Sequence, residues 1–472
     1  MESKQILDIF KEITRIPRES GSEEQITAWL LDWAAQRGLE AKRDAIGNVL
    51  IAKPASKGKE NVPVLVLQAH QDMVCEKNEG VQHDWAKDPI NYVIEDGWMI
   101  AHDTTLGADD GIGIAACLAL LESDLPTGRL ECIFTISEET GMDGAEAMAS
   151  GFFTGKTLIN LDSEDEGEMF IGCAGGVNTE SVLEYGSVAA PKGAKALQIR
   201  ISGGIGGHSG DDINKERVNT VQQMARFLYS CPVDFELASI NGGGKHNAIA
   251  RECAAVVFTS APEALAKAFA AFGADLQAEY RLSDPSLAFE SKECAAEGIC
   301  IEHKAARALI AALCACPHGV YAMSQDIPGL VETSTNLAAV HTAAGKAVVL
   351  TSQRSSITSA CNAIAAKTAA VFELAGATSR HFSPYPGWKP NVDSHILKVC
   401  VESYKRLFGC EPAVKAIHAG LECGLFLEKF PGLDMISFGP TLRGVHAPGE
   451  KLELASLERF VKHLEDVVTS FN

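Results

Sequence analysis

Five places along this chain put ionisable side chains where chemistry could be done, and each adjoins a short apolar run or a helical pattern. His70-Gln71-Asp72 follows Val62 to Ala69 (VPVLVLQA), Asp109-Asp110 lies in LGADDG ahead of a helical stretch, and Glu138-Glu139 closes LECIFTIS. Asp162 follows TLINL, and His446 lies in Gly444-Val445-His446, into which the last apolar strand runs out. Singly, each has a bland reading: Asp110 as a helix cap, the Glu pair as a solvated turn, a lone His as packing. Their recurrence at the carboxyl ends of strands in one sheet points elsewhere, because ligands gather at that edge and clustered carboxylates repel without a cation. Two histidines with three or more carboxylates suit zinc, manganese or cobalt better than magnesium or calcium, which prefer oxygen throughout.

Spacing assigns some of the roles. Neighbours on an extended strand point to opposite faces, so Glu138 and Glu139 should diverge, leaving one of them for proton transfer. By the same alternation His70 and Asp72 face one way, which lets Asp72 hold one imidazole nitrogen while the other binds metal.

The elements that must position these groups follow from the hydrophobic pattern. The runs 62–69, 130–137 and 157–161 are nearly continuous, as strands buried on both faces should be. Gly111 to Glu122 has helical spacing, and the N-terminal segment sets Ile6, Leu7, Phe10 and Ile13 on one helix face. Residues 73–106 form a polar excursion with a hairpin turning at Glu95-Asp96-Gly97. From about 187 to 388, β-type runs (196–202, 254–259, 347–352) alternate with helices at 214–229 and 356–375, which suggests an inserted α+β domain with two similar halves, 190–283 and 284–376. The tract His381 to Pro390, with three prolines, suggests a rigid return to a first domain that DMISFG and a helix at 453–471 complete. The expected fold class is therefore α/β, with residues 1–186 and 389–472 forming a layered catalytic domain around the insertion 187–388.

Composition narrows the functional classes. At 472 residues the chain exceeds what one core usually supports. Its formal charge of −21 argues against nucleic acid or an anionic membrane as partner. The N-terminus lacks the apolar block of a signal peptide and no run of eighteen apolar residues occurs, which places the protein in the cytoplasm, away from membranes. Fourteen cysteines scattered through apolar segments are expected as free thiols, and Cys314, Cys316 and His318 as packing rather than a zinc site.

In order along the chain, QAHQDMV, TTLGADDGIG, ISEETGMDGA, NLDSE, HAGLECG and GPTLRGVHAPGE resemble the aminoacyl-histidine dipeptidases (peptidase D, Xaa-His dipeptidase) of the di-zinc aminoacylase and carboxypeptidase superfamily. The resemblance spans nearly the whole chain. It implies a zinc-aminopeptidase-like three-layer catalytic domain with 187–388 as an α+β lid, and two divalent ions, zinc before cobalt or manganese. Asp109 would bridge the ions, His70 and Asp162 completing one site, Glu139 and His446 the other. Glu138 would be the general base, Asp72 would orient His70, and His208 in GGHSG would help stabilise the oxyanion. Asn247 and Arg354 resemble residues that hold the substrate backbone and C-terminal carboxylate, and Glu422 the residue that meets its free amino group. Asp103, Asp110 and Ser137 depart from the usual strings, and the two added aspartates would raise the negative charge near the metals.

The implied activity is hydrolysis of unblocked dipeptides, Xaa-His and carnosine-like substrates among them, by a monomer or homodimer acting on small peptides. N-deacylation or carboxypeptidase action on the same centre is the alternative, and neither needs a carboxylate such as Glu422 at the amino end. An inactive metal-dependent binding protein is a remoter one, disfavoured by the presence of Asp72 and Glu138.

Overall fold

The structure is a computed structural model that describes residues 2–343 and 345–472. The chain divides into two compact units, one of Met1–Cys173, Trp388–Ala416 and Leu421–Asn472, the other of Ala174–Gly387 and Ile417–Gly420.

The first unit is built on an eight-stranded mixed sheet. Its middle comprises the strands Leu130–Thr135, Leu65–His70, Thr157–Asn160 and Asp434–Ser437, adjacent in that order and mutually parallel. The first three are buried along their whole length, as their continuous apolar runs require. Parallel register brings their carboxyl ends level: His70 pairs with Thr135, and Gln68 with Asn160. Helix Ala108–Glu122 packs on the His70 strand beneath helix Ser3–Ile13, which buries Ile6, Phe10 and Ile13 but leaves Leu7 only half-buried. Helices His395–Phe408 and Leu454–Ser470 pack on each other, the former also against Asp434–Ser437. The hairpin at Glu95-Asp96-Gly97 forms, joining Val93–Glu95 to Trp98–Ile100.

The second unit carries a nine-stranded antiparallel sheet. Its first strand is Gly175–Glu184, paired with Lys346–Ser355 and Thr378–Tyr385, so the unit begins ahead of residue 187. The tract 381–390 is likewise not all connection, because it stays in that sheet through Tyr385. A repeated topology is present with boundaries other than 190–283 and 284–376. Strands Lys195–Ser202, Glu236–Gly243, Cys253–Thr259 and Ala288–Glu293, numbered along the chain, lie in the order 4-1-3-2. Strands Gly175–Glu184, Val331–Ala343, Lys346–Ser355 and Thr378–Tyr385 lie in the same order reversed, and the two halves join through Glu236–Gly243 and Val331–Ala343. The first half is thus inserted after the opening strand of the second. The cysteines are all free and most are buried, while His318 Nδ1 lies 3.3 Å from the Leu337 N–H inside this unit.

Among the described residues no helix is long and apolar enough to cross a membrane.

Candidate metal centre

His70 ends its strand, fully buried. Its Nε2 lies 3.0 Å from Asp109 Oδ1 and 3.5 Å from Asp162 Oδ1, and Asp162 follows the neighbouring strand. The other oxygen of Asp109 lies 3.1 Å from His446 Nε2, which is in turn 2.9 Å from Glu139 Oε2. Two groups of three donors therefore share Asp109, each with its atoms within 4.8 Å of one another. Ions held at about 2.0–2.2 Å in a tetrahedron set their ligands roughly 3.3 Å apart, close to the separations found.

Electrostatics make the same case. Burial drives the Asp162 carboxyl well above its ordinary range, and the charge on Asp109 adds to the push. Burial also lifts Glu138 to about 8, partly opposed by His70 and reinforced by Glu139 and Asp109. His446 is raised to about 11 by its hydrogen bonds to Asp109 and Glu139. For His70, burial opposes the charged form, but Asp162, Asp109 and Asp72 overcome it and raise the imidazole well above its usual value. The groups with raised values cluster where divalent cations would suit, and Glu139 Oε1 is buried with no hydrogen-bond partner among the described residues. The donor set of nitrogen and carboxylate oxygen fits zinc, cobalt or manganese.

Positioning is local and specific. Asp72, fully buried, accepts from the backbone N–H of Glu138 (3.1 Å) on Oδ1 and from Ser20 Oγ (2.8 Å) and the Glu139 N–H (3.3 Å) on Oδ2. Its Oδ1 also lies 3.3 Å from His70 Nδ1. These partners hold its carboxyl down at about 2 against the effect of burial. Glu138 and Glu139 do not lie on an extended strand: the backbone turns at Ser137 (φ 51°) and they open a single helical turn, Glu138–Gly141. The strand alternation expected to separate them therefore does not apply, and both bring a carboxylate oxygen into the space around His70.

Asp109 is presented by a loop that Glu450 grips. The Glu450 carboxylate accepts from the N–H groups of Leu106 (2.7 Å), Gly107 (2.9 Å), Ala108 (2.8 Å) and Asp109 (3.4 Å). Gly107 has φ 68°, and a Cβ there would come within 2.5 Å of Arg18 Nη2 and 2.6 Å of the Met73 sulfur. The guanidinium of Arg18 also donates to the carbonyls of Gln71, Asp72 and Gly107, tying the His70 and Asp109 loops together. The Asp109–Asp110 peptide bond is cis. Asp110 is buried and accepts from the N–H groups of Gly113 (3.1 Å) and His70 (3.3 Å), while Asp103 is exposed. Asp110 is held well above the usual carboxylate range, first by burial and then by the charge on Asp109.

Glu422, at the start of helix Glu422–Lys429, is buried in the same unit. Its Oε2 accepts from Gln68 Nε2 (2.6 Å) and Thr135 Oγ1 (2.9 Å), and burial together with the Glu138 charge raises it to about 8. The remaining expected residues belong to the second unit. His208 Nε2 lies 3.3 Å from Arg354 Nη2 and its Nδ1 3.2 Å from Asp211 Oδ2. The Asn247 carbonyl accepts from the Ser209 N–H (2.9 Å). Arg354 is buried, and its Nε has no hydrogen-bond partner among the described residues. Across the sheet Arg354 pairs in register with Ser334, whose Oγ lies 2.7 Å from His418 Nε2.

Sequence reasoning missed Glu450, Arg18, Ser20, Gln68, Thr135 and His418. Glu450 and His418 stand inside strings already singled out, GVHAPGE and HAGLECG, whereas Arg18 and Ser20 carry no periodic signal.

Residues 66–470 match the model of peptidase family M20/M25/M40. The chain is 38% identical over 458 residues to the cytosol non-specific dipeptidase of Escherichia coli (strain K12), covering 96% of this chain and 94% of that one. It superposes on the crystal structure of aminoacylhistidine dipeptidase from Vibrio alginolyticus with a TM-score of 0.93 and 38% identity, over 99% of this chain and 96% of the other. Aminopeptidase PepT from Bacillus cereus shares the fold at a TM-score of 0.58 and 17% identity, over 99% and 98% of the two chains. With His70, Asp109, Glu139, Asp162 and His446 all inside the matched span, the chain belongs to peptidase family M20/M25/M40.

Proposed function

We propose that this protein is a dipeptidase that hydrolyses unblocked dipeptides, Xaa-His and carnosine-like ones among them, at two divalent ions, preferentially zinc. The observation that carries the reading is the pair of three-donor groups sharing Asp109, with Glu138 beside them. His70 and Asp162 would hold one ion, Glu139 and His446 the other, and Asp109 both. Bound there, the ions would supply Lewis acidity toward the scissile carbonyl and the attacking water.

The chain's own groups supply the rest. A carboxylate oxygen of Glu138 takes the proton of the attacking water and returns it to the leaving amine, a task for which a buried carboxyl of raised basicity is suited. Asp72 keeps His70 in its ring orientation and holds the Glu138 turn by its backbone. Glu422 offers a buried carboxylate to the substrate's ammonium. Roles for the second-unit residues rest on their motifs and side-chain chemistry: His208 as a donor to the oxyanion, Arg354 as the cation for a C-terminal carboxylate, Asn247 as a backbone anchor. The relatives' names support the dipeptide substrate, and the E. coli name also supports a cytoplasmic setting.

The test is amino-acid release from free dipeptides, N-acetylated dipeptides and tripeptides by zinc-loaded protein. Cleavage confined to free dipeptides supports the reading, and a preference for His in second place would narrow it. Cleavage of blocked substrates would assign deacylation or carboxypeptidase action instead.

A further inference from the structure

A row of polar side chains crosses the apolar middle of the first unit's sheet and ends on Glu422. Gln68, Asn160 and Ser437 stand in register on three adjacent parallel strands, and Thr135 lies on the strand at the other side of Gln68. All four are essentially inaccessible to solvent, as is Glu422. Ser163 Oγ lies 2.7 Å from Ser437 Oγ, Ser437 Oγ donates to Asn160 Oδ1 (2.5 Å), and Asn160 Nδ2 donates to Gln68 Oε1 (2.5 Å). Gln68 Nε2 then donates to Glu422 Oε2 at 2.6 Å, beside the Thr135 hydroxyl donating to the same oxygen at 2.9 Å.

The row has one direction when Glu422 is ionised, the form that binds an ammonium: Gln68 turns its amide nitrogen toward Glu422 and its carbonyl toward Asn160, and Asn160 turns the same way. Every dipole therefore points its positive end at Glu422, and aligned hydrogen bonds reinforce one another in a low-dielectric interior. Such a row costs desolvation that apolar side chains would avoid, so packing alone does not account for it. Its effect is asymmetric: Oε2 is saturated, while Oε1 is buried with no hydrogen-bond partner among the described residues.

We propose that Gln68 and Thr135 are positioning residues for the amino end of the substrate, holding Glu422 by Oε2 so that Oε1 is presented to a substrate ammonium group. The inference rests on the reading of Glu422 given above. It assigns recognition of the free amino terminus to the row behind Glu422 as well as to that residue. Neither positioning residue touches the substrate.

The test uses zinc-loaded full-length protein with metal content measured for each variant: wild type, Gln68→Met, Thr135→Val, Thr135→Ser and Glu422→Gln. The readouts are KM and kcat for an unblocked dipeptide and the inhibition constant of its des-amino analogue, which lacks the ammonium. Loss of a hydrogen bond to a charged group should raise KM roughly tenfold in Gln68→Met and Thr135→Val. Values of kcat and of the analogue's inhibition constant should stay within about twofold, since neither depends on the ammonium contact. Thr135→Ser, which keeps the hydroxyl, should restore the wild-type KM, and Thr135→Val should add nothing in the Glu422→Gln background. A parallel loss of affinity for the analogue, or an unchanged KM in Thr135→Val, overturns the proposal. An unchanged KM in Glu422→Gln overturns it at Glu422 itself, and a wild type that cleaves no unblocked dipeptide overturns the dipeptidase reading together with it.

Discussion

Asp72 serves two groups at once. One carboxylate contacts the His70 ring and accepts the backbone N–H groups of both Glu138 and Glu139, so a single side chain sets a proposed metal donor and the proposed base. Asp72→Asn should weaken metal binding roughly 10- to 100-fold, as loss of an outer partner of a histidine ligand does, measured by competition with a chromophoric chelator. Glu138→Gln should behave differently, lowering kcat by about 10²- to 10⁴-fold with metal content unchanged. The pairing of His70 with Asp72, expected from strand alternation, is met by a 3.3 Å approach although the strand ends at His70. The separation of Glu138 from Glu139 was argued from an extended backbone, but Ser137 bends the chain at that point. A positive φ at serine has no sequence signal comparable to glycine's, which is why the turn went unread.

The elements were the most legible level. Three apolar runs became three parallel strands whose carboxyl ends carry His70, the Glu138 turn and Asp162, because burial on both faces leaves a continuous hydrophobic signature. The loop that presents Asp109 was not legible, since its order comes from Glu450, more than three hundred residues away along the chain. Glu450→Gln keeps the shape but replaces one acceptor oxygen by a donor facing backbone N–H groups. It should cost about 1–3 kcal/mol of stability and loosen metal retention with it, read from thermal unfolding and from zinc loss on dialysis. The repeated strand order of the second unit also escaped the sequence, because one half interrupts the other after its first strand, so similar segments are not consecutive.

Across the whole molecule, stability should follow buried histidines as well as metal. Burial depresses His463 to about 4, from 6.5, and its Nε2 lies 3.0 Å from the Cys400 carbonyl. A depressed imidazole favours the folded state fully above the unfolded value, and that contribution is lost as pH falls from about 6.5 toward 4. The difference in melting temperature between wild type and His463→Gln should therefore narrow over that window and stay constant above it. Both three-donor groups that share Asp109 lie in one unit. The most direct test of a two-ion centre served by Glu138 is a zinc titration of metal-free protein with dipeptide hydrolysis followed at each step, in wild type and Glu138→Gln. Wild-type activity should saturate only at the second equivalent, while the variant binds both equivalents and stays about 100-fold or more below it. Full activity at one equivalent, or a fully active Glu138→Gln, would contradict the account.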